Sequence, residues 1–265
     1  MGFDKTLPPI VDPQLEIARL NVPGSCPFFG FGEVTISGAS NNVDVWSGFG
    51  KTAIQPEPDT GGYALWVESD SGDDVSVGDG TGVQQVLIHY LDTAGAQQST
   101  TVIMAGVTPV DSGVADCMFV QVMHASVVGT GLVAAGNIDA TKTSGGAVVS
   151  RILAAGNYSL STMRQVPAGT TFYIYEWHCS AWTKATKENG IVRLRSSSHF
   201  TDAGAAVNQA GVYLFKDTAL VAQSTFHMDL KIPIVIPALA TVKVSVWTSG
   251  DIDNLAASYR GVLDS

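Results

Sequence analysis

Three groups of residues in this sequence could do chemistry, and the first is a glycine-rich segment. Gly78, Gly80 and Gly82 fall within five residues, and glycine-rich loops often bind phosphate groups. Such a loop needs a helix after its glycines, because the helix N-terminus supplies the N–H donors and the dipole. The residues that follow, 83–91, are β-prone, and no lysine lies near them. We therefore interpret the glycines as a tight turn into a strand and not as a nucleotide site.

The second group is a cluster of carboxylates in the segment ESDSGDDVSVGDG. Oxygen ligands in a flexible loop could hold Ca²⁺, and the candidate ligands are Asp70, Asp73, Asp74 and Asp79. Their spacing does not match the D-x-[DN]-x-[DN]-G calcium loop. The ordinary interpretation is a solvated surface loop, with a calcium site as the alternative.

The third group is the run EWHC, which contains an acid, an imidazole and a thiol. Successive residues of a strand point to opposite faces of its sheet. An uninterrupted strand places Cys179 on one face with Tyr175 and Trp177. Glu176 and His178 then share the other face. We expect a buried cysteine and a Glu–His pair at a surface or subunit contact, and not a Cys-His nucleophile.

Other catalytic and metal-binding signatures are missing from the sequence. The remaining histidines, His89, His124, His199 and His227, each lie in a different predicted strand or turn. The sequence contains neither H-E-x-x-H nor G-x-S-x-G. We expect a protein that is not an enzyme and that uses no cofactor.

The elements that must position these residues are strands. From Val34 onward, short segments rich in Val, Ile, Thr and aromatic residues alternate with Gly, Asn, Asp or Pro. This pattern predicts an all-β fold, an antiparallel β-sandwich of jelly-roll type. The segment TKTSGG predicts a division into two β-domains, 33–143 and 144–265, with one continuous sandwich as the alternative.

Residues 1–32 differ in composition from the rest. Their prolines and glycines predict an extended, irregular N-terminal arm, with one short helix that begins near Pro13. Such an arm cannot bury its own apolar residues, so we expect it to lie on a neighbouring domain or subunit. The residues expected at this interface are Leu15, Ile17, Arg19, Val22, Pro23, Phe28, Phe29 and Phe31.

Composition and charge restrict the function. Only 14% of the 265 residues are charged, 45% are hydrophobic, and the net charge is −10. A surface so poor in charge suggests burial against other subunits, and the acidity disfavours nucleic acid. We therefore expect Arg193 and Arg195 to form subunit salt bridges.

The apolar runs are short and interrupted by proline, so we expect no membrane association. Three cysteines without a C-x-x-C pair, and a start without a secretory signal, predict synthesis in a reducing compartment.

Taken together, several segments resemble a family of tailed-phage virion structural proteins. In chain order they are IARLNVPG (17–24), FG (31–32), VWSG (45–48), a Ser/Asp-rich loop (68–74), GTG…V.I..LD..G (80–95), AGN (155–157), VPAG (166–169) and GVL (261–263). The resemblance covers nearly the whole chain in order. It implies a component of the virion, and it carries no catalytic motif.

Composition, arm and resemblance together lead to one functional hypothesis and one alternative. We expect a capsid decoration or cement protein that stabilises the outer head. Its partners would be the major capsid protein or other virion proteins, and copies of itself in a homotrimer. It would be located in the virion after assembly in the host cytoplasm. The alternative is a tail- or fibre-associated protein that attaches to a host receptor or glycan, with tryptophans such as Trp182 or Trp247 as its platform.

Overall fold

The computed structural model describes residues 13–18, 21–48, 54–78, 80–182, 189–200, 206–209, 211–221 and 224–265. In chain order the elements are α1 (Pro13–Ala18), β1 (Ser25–Ile36), β2 (Ser40–Asp44), β3 (Trp66–Ser69), β4 (Val83–Asp92), β5 (Gln97–Ile103), β6 (Val110–Asp111), β7 (Cys117–Val128), β8 (Ile138–Thr141), β9 (Val148–Ile152), β10 (Arg164–Gln165), β11 (Thr171–Trp182), β12 (Gly190–Ser196), β13 (Ser198–Phe200), β14 (Ala206–Asn208), β15 (Leu214–Val221), β16 (Thr225–Ile236), β17 (Thr241–Thr248) and β18 (Ile252–Asp264).

Eight of these strands form two antiparallel sheets that share one core. The first sheet has the order β1-β18-β11-β16. The second has the order β2-β17-β12-β15, and β10 also pairs with β17. Counted by themselves along the chain, the eight strands follow the orders 1-8-3-6 and 2-7-4-5, which is the topology of a jelly roll. The predicted all-β sandwich of jelly-roll type is confirmed.

The first hydrophobic core lies between these two sheets. Its alternation is clearest in β17, where Val242, Val244 and Val246 belong to the core while the residues between them point to the opposite side. Trp177 and Phe172 of β11 are fully buried in the same core. Each large apolar side chain buried in this way contributes about 1.5–3 kcal/mol, so the core holds the two sheets together.

A second core lies in the segment between β2 and β10. Here β6-β3-β8-β9 form one sheet and β5-β4-β7 form another. The core residues include Leu65, Val86, Ile88, Met123 and Ile138. We call residues 54–160 the inserted unit, because they have their own core and interrupt the strands of the jelly roll.

The chain enters and leaves the inserted unit at adjacent positions. The Ser47 amide donates a hydrogen bond to the Leu160 carbonyl at 2.7 Å, and the Thr162 amide donates to the Val45 carbonyl at 3.0 Å. A β-bridge joins Trp46 to Ser161 between them. The two connecting segments therefore run side by side.

Residues 143/144, predicted as the boundary between two β-domains, do not separate two domains in the structure. That position lies in the turn between β8 and β9, which pair with each other from Ile138 with Ile152 onward. The first core instead combines residues 34–45 with residues from 166 to the end of the chain. The segment TKTSGG marks a hairpin turn, because a change of composition alone cannot distinguish a turn from a domain boundary.

Residues 25–32, predicted as part of an irregular arm, form the first part of β1 and pair with β18. The glycines serve close packing within this strand. A Cβ on Gly30 would lie 2.5 Å from Cζ of Tyr259, and one on Gly32 would lie 2.3 Å from the Val45 carbonyl oxygen. Phe29 and Phe31 alternate with these glycines and point outward. The proline and glycine content of this segment therefore predicted an irregular path, whereas residues 25–32 form a strand.

A β-bulge changes the predicted faces of β11. The pairing register shifts between Ile174 and Glu176 on both sides of the strand. Phe172 and Ile174 before the bulge and Trp177 after it all point into the core. Tyr175, expected to share a face with Trp177, lies outside the core instead, because a bulge adds a residue and reverses the alternation.

In the described part of the chain, no helix has the length and apolar character needed to span a membrane.

Candidate interaction surface

The outer face is the side of the first sheet that points away from the first core. The pairing registers of its four strands align side chains in rows across this face. Two neighbouring rows are Phe29–Arg260–Glu176–Asp229 and Phe31–Ser258–His178–His227. Both rows begin with an aromatic residue on β1 and end with polar residues on β11 and β16. The outer face is therefore apolar at one edge and charged at the other.

An open groove of about 830 Å³ lies on the outer face. Ile17 of α1 and Phe29 and Phe31 of β1 contribute to its apolar lining, and Glu176 and Asp229 contribute to its polar lining. The side chains of Phe29 and Phe31 are 51% and 39% exposed. Adjacent exposed aromatic residues are typical of the centre of a protein–protein interface.

The structure brings together part of the predicted interface set. Ile17, Phe28, Phe29 and Phe31 line the same groove. Phe28 also packs edge-to-face against Phe172, with ring centroids 4.9 Å apart, so it belongs partly to the core.

Of the other predicted interface residues, Val22 and Pro23 do not line the groove. Val22 is half-buried and Pro23 is exposed, in the turn that precedes β1. Leu15 belongs to α1, and Arg19 lies outside the described residues. A role of the whole set in assembly stays a prediction.

A polar cluster occupies the charged edge of the outer face. The Glu176 carboxylate lies 3.3 Å from Nε of Arg260 and 3.6 Å from Nδ1 of His227. Nε2 of the same imidazole lies 3.3 Å from Oδ1 of Asp229. The ring of His178 lies 6.3 Å from that of His227, centroid to centroid. Glu176 and His178 lie on the surface as expected, but among the described contacts Glu176 pairs with His227 of β16 and Arg260 of β18 and not with His178.

The acidic loop uses its best-placed carboxylate for hydrogen bonds within the chain. Asp74 is fully buried. Its Oδ1 accepts from the amides of Val83 at 2.7 Å and Ala135 at 2.9 Å. Its Oδ2 accepts from the Gly136 amide at 2.9 Å and from the Ser69 hydroxyl at 2.6 Å. A carboxylate whose oxygens face four donors is not arranged to bind a cation.

The rest of the acidic loop does not assemble a calcium site among the described residues. Asp70 accepts hydrogen bonds from the backbone amide and the side-chain amide of Asn137, both at 2.7 Å. Asp73 is exposed, and Asp79 lies outside the described residues. The predicted calcium alternative therefore loses Asp70 and Asp74, because N–H and O–H donors already occupy their oxygens.

The glycine-rich turn has a packing role next to Asp74. A Cβ on Gly82 would lie 2.1 Å from Oδ1 of Asp74, and one on Gly80 would lie 2.2 Å from the Val75 carbonyl oxygen. β4 follows the turn directly, as the sequence predicted. The glycines let the backbone approach a buried carboxylate, and no helix N-terminus is present there to bind phosphate.

Two of the three thiols, those of Cys117 and Cys179, are buried and not arranged for catalysis. Burial is the main cause that raises the pKa of Cys117 and Cys179 to about 12, so neither thiol is ionised at neutral pH. Cys179 points into the first core, while its neighbour His178 lies on the outer face. The expected buried role of Cys179 is observed.

The outward side of the second sheet carries cations stacked on aromatic rings. Arg193 lies 4.3 Å from the ring centroid of Phe215, and Arg195 lies 5.5 Å from that of Tyr213. Both were expected in salt bridges between subunits, but in the structure they contact rings of their own chain. Trp247, also on this sheet, is 38% exposed.

Comparison with known proteins adds little to this description. No protein-family model and no curated protein sequence matches the chain. Among solved structures, T=1 particles derived from infectious bursal virus match with 12% identity and a TM-score of 0.21 over 91% of this chain and 69% of that chain. The VP2 subviral particle of infectious bursal disease virus matches with 10% identity and a TM-score of 0.20 over 91% of this chain and 72% of that chain. TM-scores of this size do not indicate a shared fold, so these matches assign neither fold nor function.

Proposed function

We propose that this protein is a structural subunit of a virus particle that assembles with copies of itself through the outer face of its first sheet. The observation that carries the proposal is the pair of exposed aromatic residues, Phe29 and Phe31, beside an open groove. Burying two such rings against another chain gives the apolar centre that a stable interface needs. The proposed partner on this surface is a second copy, because the low charged fraction of 14% favours self-association.

The jelly-roll fold is compatible with this role. Jelly rolls occur in viral capsid proteins and also in lectin domains, and a fold does not determine a function. The resemblance of the sequence to tailed-phage virion proteins favours the first of these classes. Within it, we propose a decoration or cement protein that binds the major capsid protein on the outer head, as a homotrimer located in the virion.

Sedimentation velocity of the full-length chain at micromolar concentration tests self-assembly. We expect a defined oligomer that dissociates when Phe29→Ser and Phe31→Ser are combined. Ile103→Ser is the matched control, because Ile103 is 60% exposed on the inserted unit and its loss leaves the outer face intact. A monomeric parent protein, or equal dissociation of the control, would contradict the proposal.

Copy number in the purified particle tests the decoration role. A number comparable with that of the major capsid protein, and density on the outside of the head in an imaged particle, support decoration. A few copies located at the tail would support the alternative, a tail- or fibre-associated glycan-binding protein. The observation that favours this alternative is the exposure of Trp182 and Trp247, and a glycan array tests it directly.

A further inference from the structure

We propose that the polar cluster of the outer face is a binding site for one divalent transition-metal ion, such as Zn²⁺. His227 and Asp229 would bind the ion, His178 would supply a second imidazole, and Glu176 would orient His227. All four side chains belong to one chain, so a single copy can form the site, although Glu176 and Asp229 also line the groove proposed for self-assembly.

Strand pairing is what brings these four side chains together. In the register of β11 with β16, Glu176 is opposite Asp229 and His178 is opposite His227. Opposite residues of an antiparallel pair lie on the same face, with Cβ atoms about 4.5–5.5 Å apart. Ligand atoms of Glu176, His227 and Asp229 all lie within 4.8 Å of one another. One imidazole and two carboxylates therefore form a compact cluster on two paired strands, and the register places His178 beside it.

The distances agree with metal coordination. In a tetrahedral site with bonds of about 2.0–2.1 Å, two ligand atoms are about 3.3–3.4 Å apart. Nε2 of His227 and Oδ1 of Asp229 are already 3.3 Å apart. The other nitrogen, Nδ1, faces the Glu176 carboxylate at 3.6 Å. This distance is longer than a hydrogen bond, and a closer approach would let the carboxylate accept the Nδ1 proton and present Nε2 to the ion, as is usual for metal-binding histidines.

His178 is not among the residues whose ligand atoms lie within 4.8 Å of one another, so it must move to join the site. Two imidazoles bound to one tetrahedral ion have ring centroids about 5 Å apart, and the rings of His178 and His227 are 6.3 Å apart. A change of the side-chain rotamer of the half-buried His178 would bring its ring toward the ion. Water would fill the remaining position, since His227 and Asp229 are 49% and 81% exposed.

The ligand types select the class of metal. Imidazole nitrogen with carboxylate oxygen suits Zn²⁺, Ni²⁺, Co²⁺ or Cu²⁺, whereas Ca²⁺ and Mg²⁺ prefer oxygen ligands alone. Arg260 competes for Glu176, but its side chain is 69% exposed, and an ion pair so exposed is weak. Asp229 differs in this respect from Asp74. Backbone N–H groups donate hydrogen bonds to the oxygens of Asp74, whereas among the described contacts no backbone N–H donates to Asp229.

Calorimetric titration of ZnCl₂ into the full-length, chelator-treated chain without an affinity tag tests the proposal. We expect saturable binding of one ion per chain. His227→Ala should remove this binding, and Glu176→Gln should weaken it by about 10–100-fold, as is usual for a partner that orients a metal ligand. Co²⁺ in place of Zn²⁺ gives a visible absorption band that should report nitrogen and oxygen ligands.

Two variants serve as matched controls for these substitutions. Glu33→Gln removes the same charge from β1 of the same sheet, and His89→Gln removes an imidazole from the inserted unit. Both should bind Zn²⁺ as the parent chain does, and circular dichroism should show every variant folded. Absence of saturable binding, unchanged binding in His227→Ala, or loss of binding in His89→Gln would each overturn the proposal.

Discussion

Asp74→Asn is the substitution that most directly tests how the inserted unit is held together. The side chain keeps its size, but one of its oxygens becomes an NH₂ group. Oδ1 faces two backbone amides, so the new amide nitrogen is best placed at the position of Oδ2, where it can donate to the Ser69 hydroxyl oxygen. The Gly136 amide then points at another donor and loses its acceptor.

The expected cost follows from these contacts. A buried N–H left without an acceptor costs about 1–3 kcal/mol, and hydrogen bonds to a charged acceptor contribute about 1.5–3 kcal/mol each, more than those to a neutral one. Loss of one such bond and weakening of the two at Oδ1 gives a decrease of about 2–4 kcal/mol in the free energy of unfolding. Asp74→Ala, which leaves three backbone amides unpaired, should cost more.

Urea unfolding followed by fluorescence measures this change, and Asp73→Asn is the matched control, because Asp73 is adjacent in sequence and exposed. Hydrogen exchange read by mass spectrometry should show faster exchange in the peptides that contain Val83, Ala135 and Gly136. Equal stability of the two variants, or unchanged exchange in those peptides, would refute the role given to the Asp74 carboxylate.

Three further predictions concern packing, thiols and pH. Gly30→Ala forces a methyl group against the buried ring of Tyr259 and should lower the free energy of unfolding by about 1–3 kcal/mol. Gly72 has open space around it, so the control Gly72→Ala should change the free energy of unfolding little. Equal effects of the two substitutions would contradict this account of β1. In the folded chain at pH 8 a thiol reagent should modify only Cys26. Burial raises the pKa of all three thiols, but Cys26 is only half-buried, whereas Cys117 and Cys179 are fully buried and their pKa values are raised to about 12. Peptide mass mapping would reveal any exception. Burial, and then a second histidine stacked on it, lowers the pKa of His89 from 6.5, so the folded chain takes up this proton less readily than the unfolded chain. Its contribution to stability is therefore present above pH 6.5 and is lost as the pH falls through the lowered pKa. His89→Gln should flatten the dependence of the free energy of unfolding on pH in that range. An unchanged pH dependence in chemical unfolding would exclude His89 as its cause.

The local features of the fold could be predicted because they depend on neighbouring residues. Alternation and turn residues predicted the β-strands, including the strand that follows Gly82. Ile17, Phe29 and Phe31 were expected at an interface because the first residues of the chain cannot bury them locally. The structure places all three along one groove.

The remaining features depend on pairing between distant residues, which a single sequence does not report. His227 and Asp229 come next to His178 and Glu176 only through the register of β16 with β11. The bulge near Tyr175 reverses the faces of β11, and nothing in the local sequence marks it. The insertion was missed for the same reason, because β2 and β17 pair across some two hundred residues of chain.

The hydrogen-bonded entry and exit of the inserted unit also affect the order in which the chain can fold. The free energy of loop closure grows as (3/2)RT ln n, so bringing Ser47 to Leu160 across an unstructured segment of roughly a hundred residues costs about 3 kcal/mol more than closing a turn of a few residues. Once the inserted unit has folded around its own core, its ends are already adjacent. β2 and β11 are then effectively neighbours joined by a short connection. Folding of the inserted unit therefore removes most of the entropic barrier to completing the jelly roll.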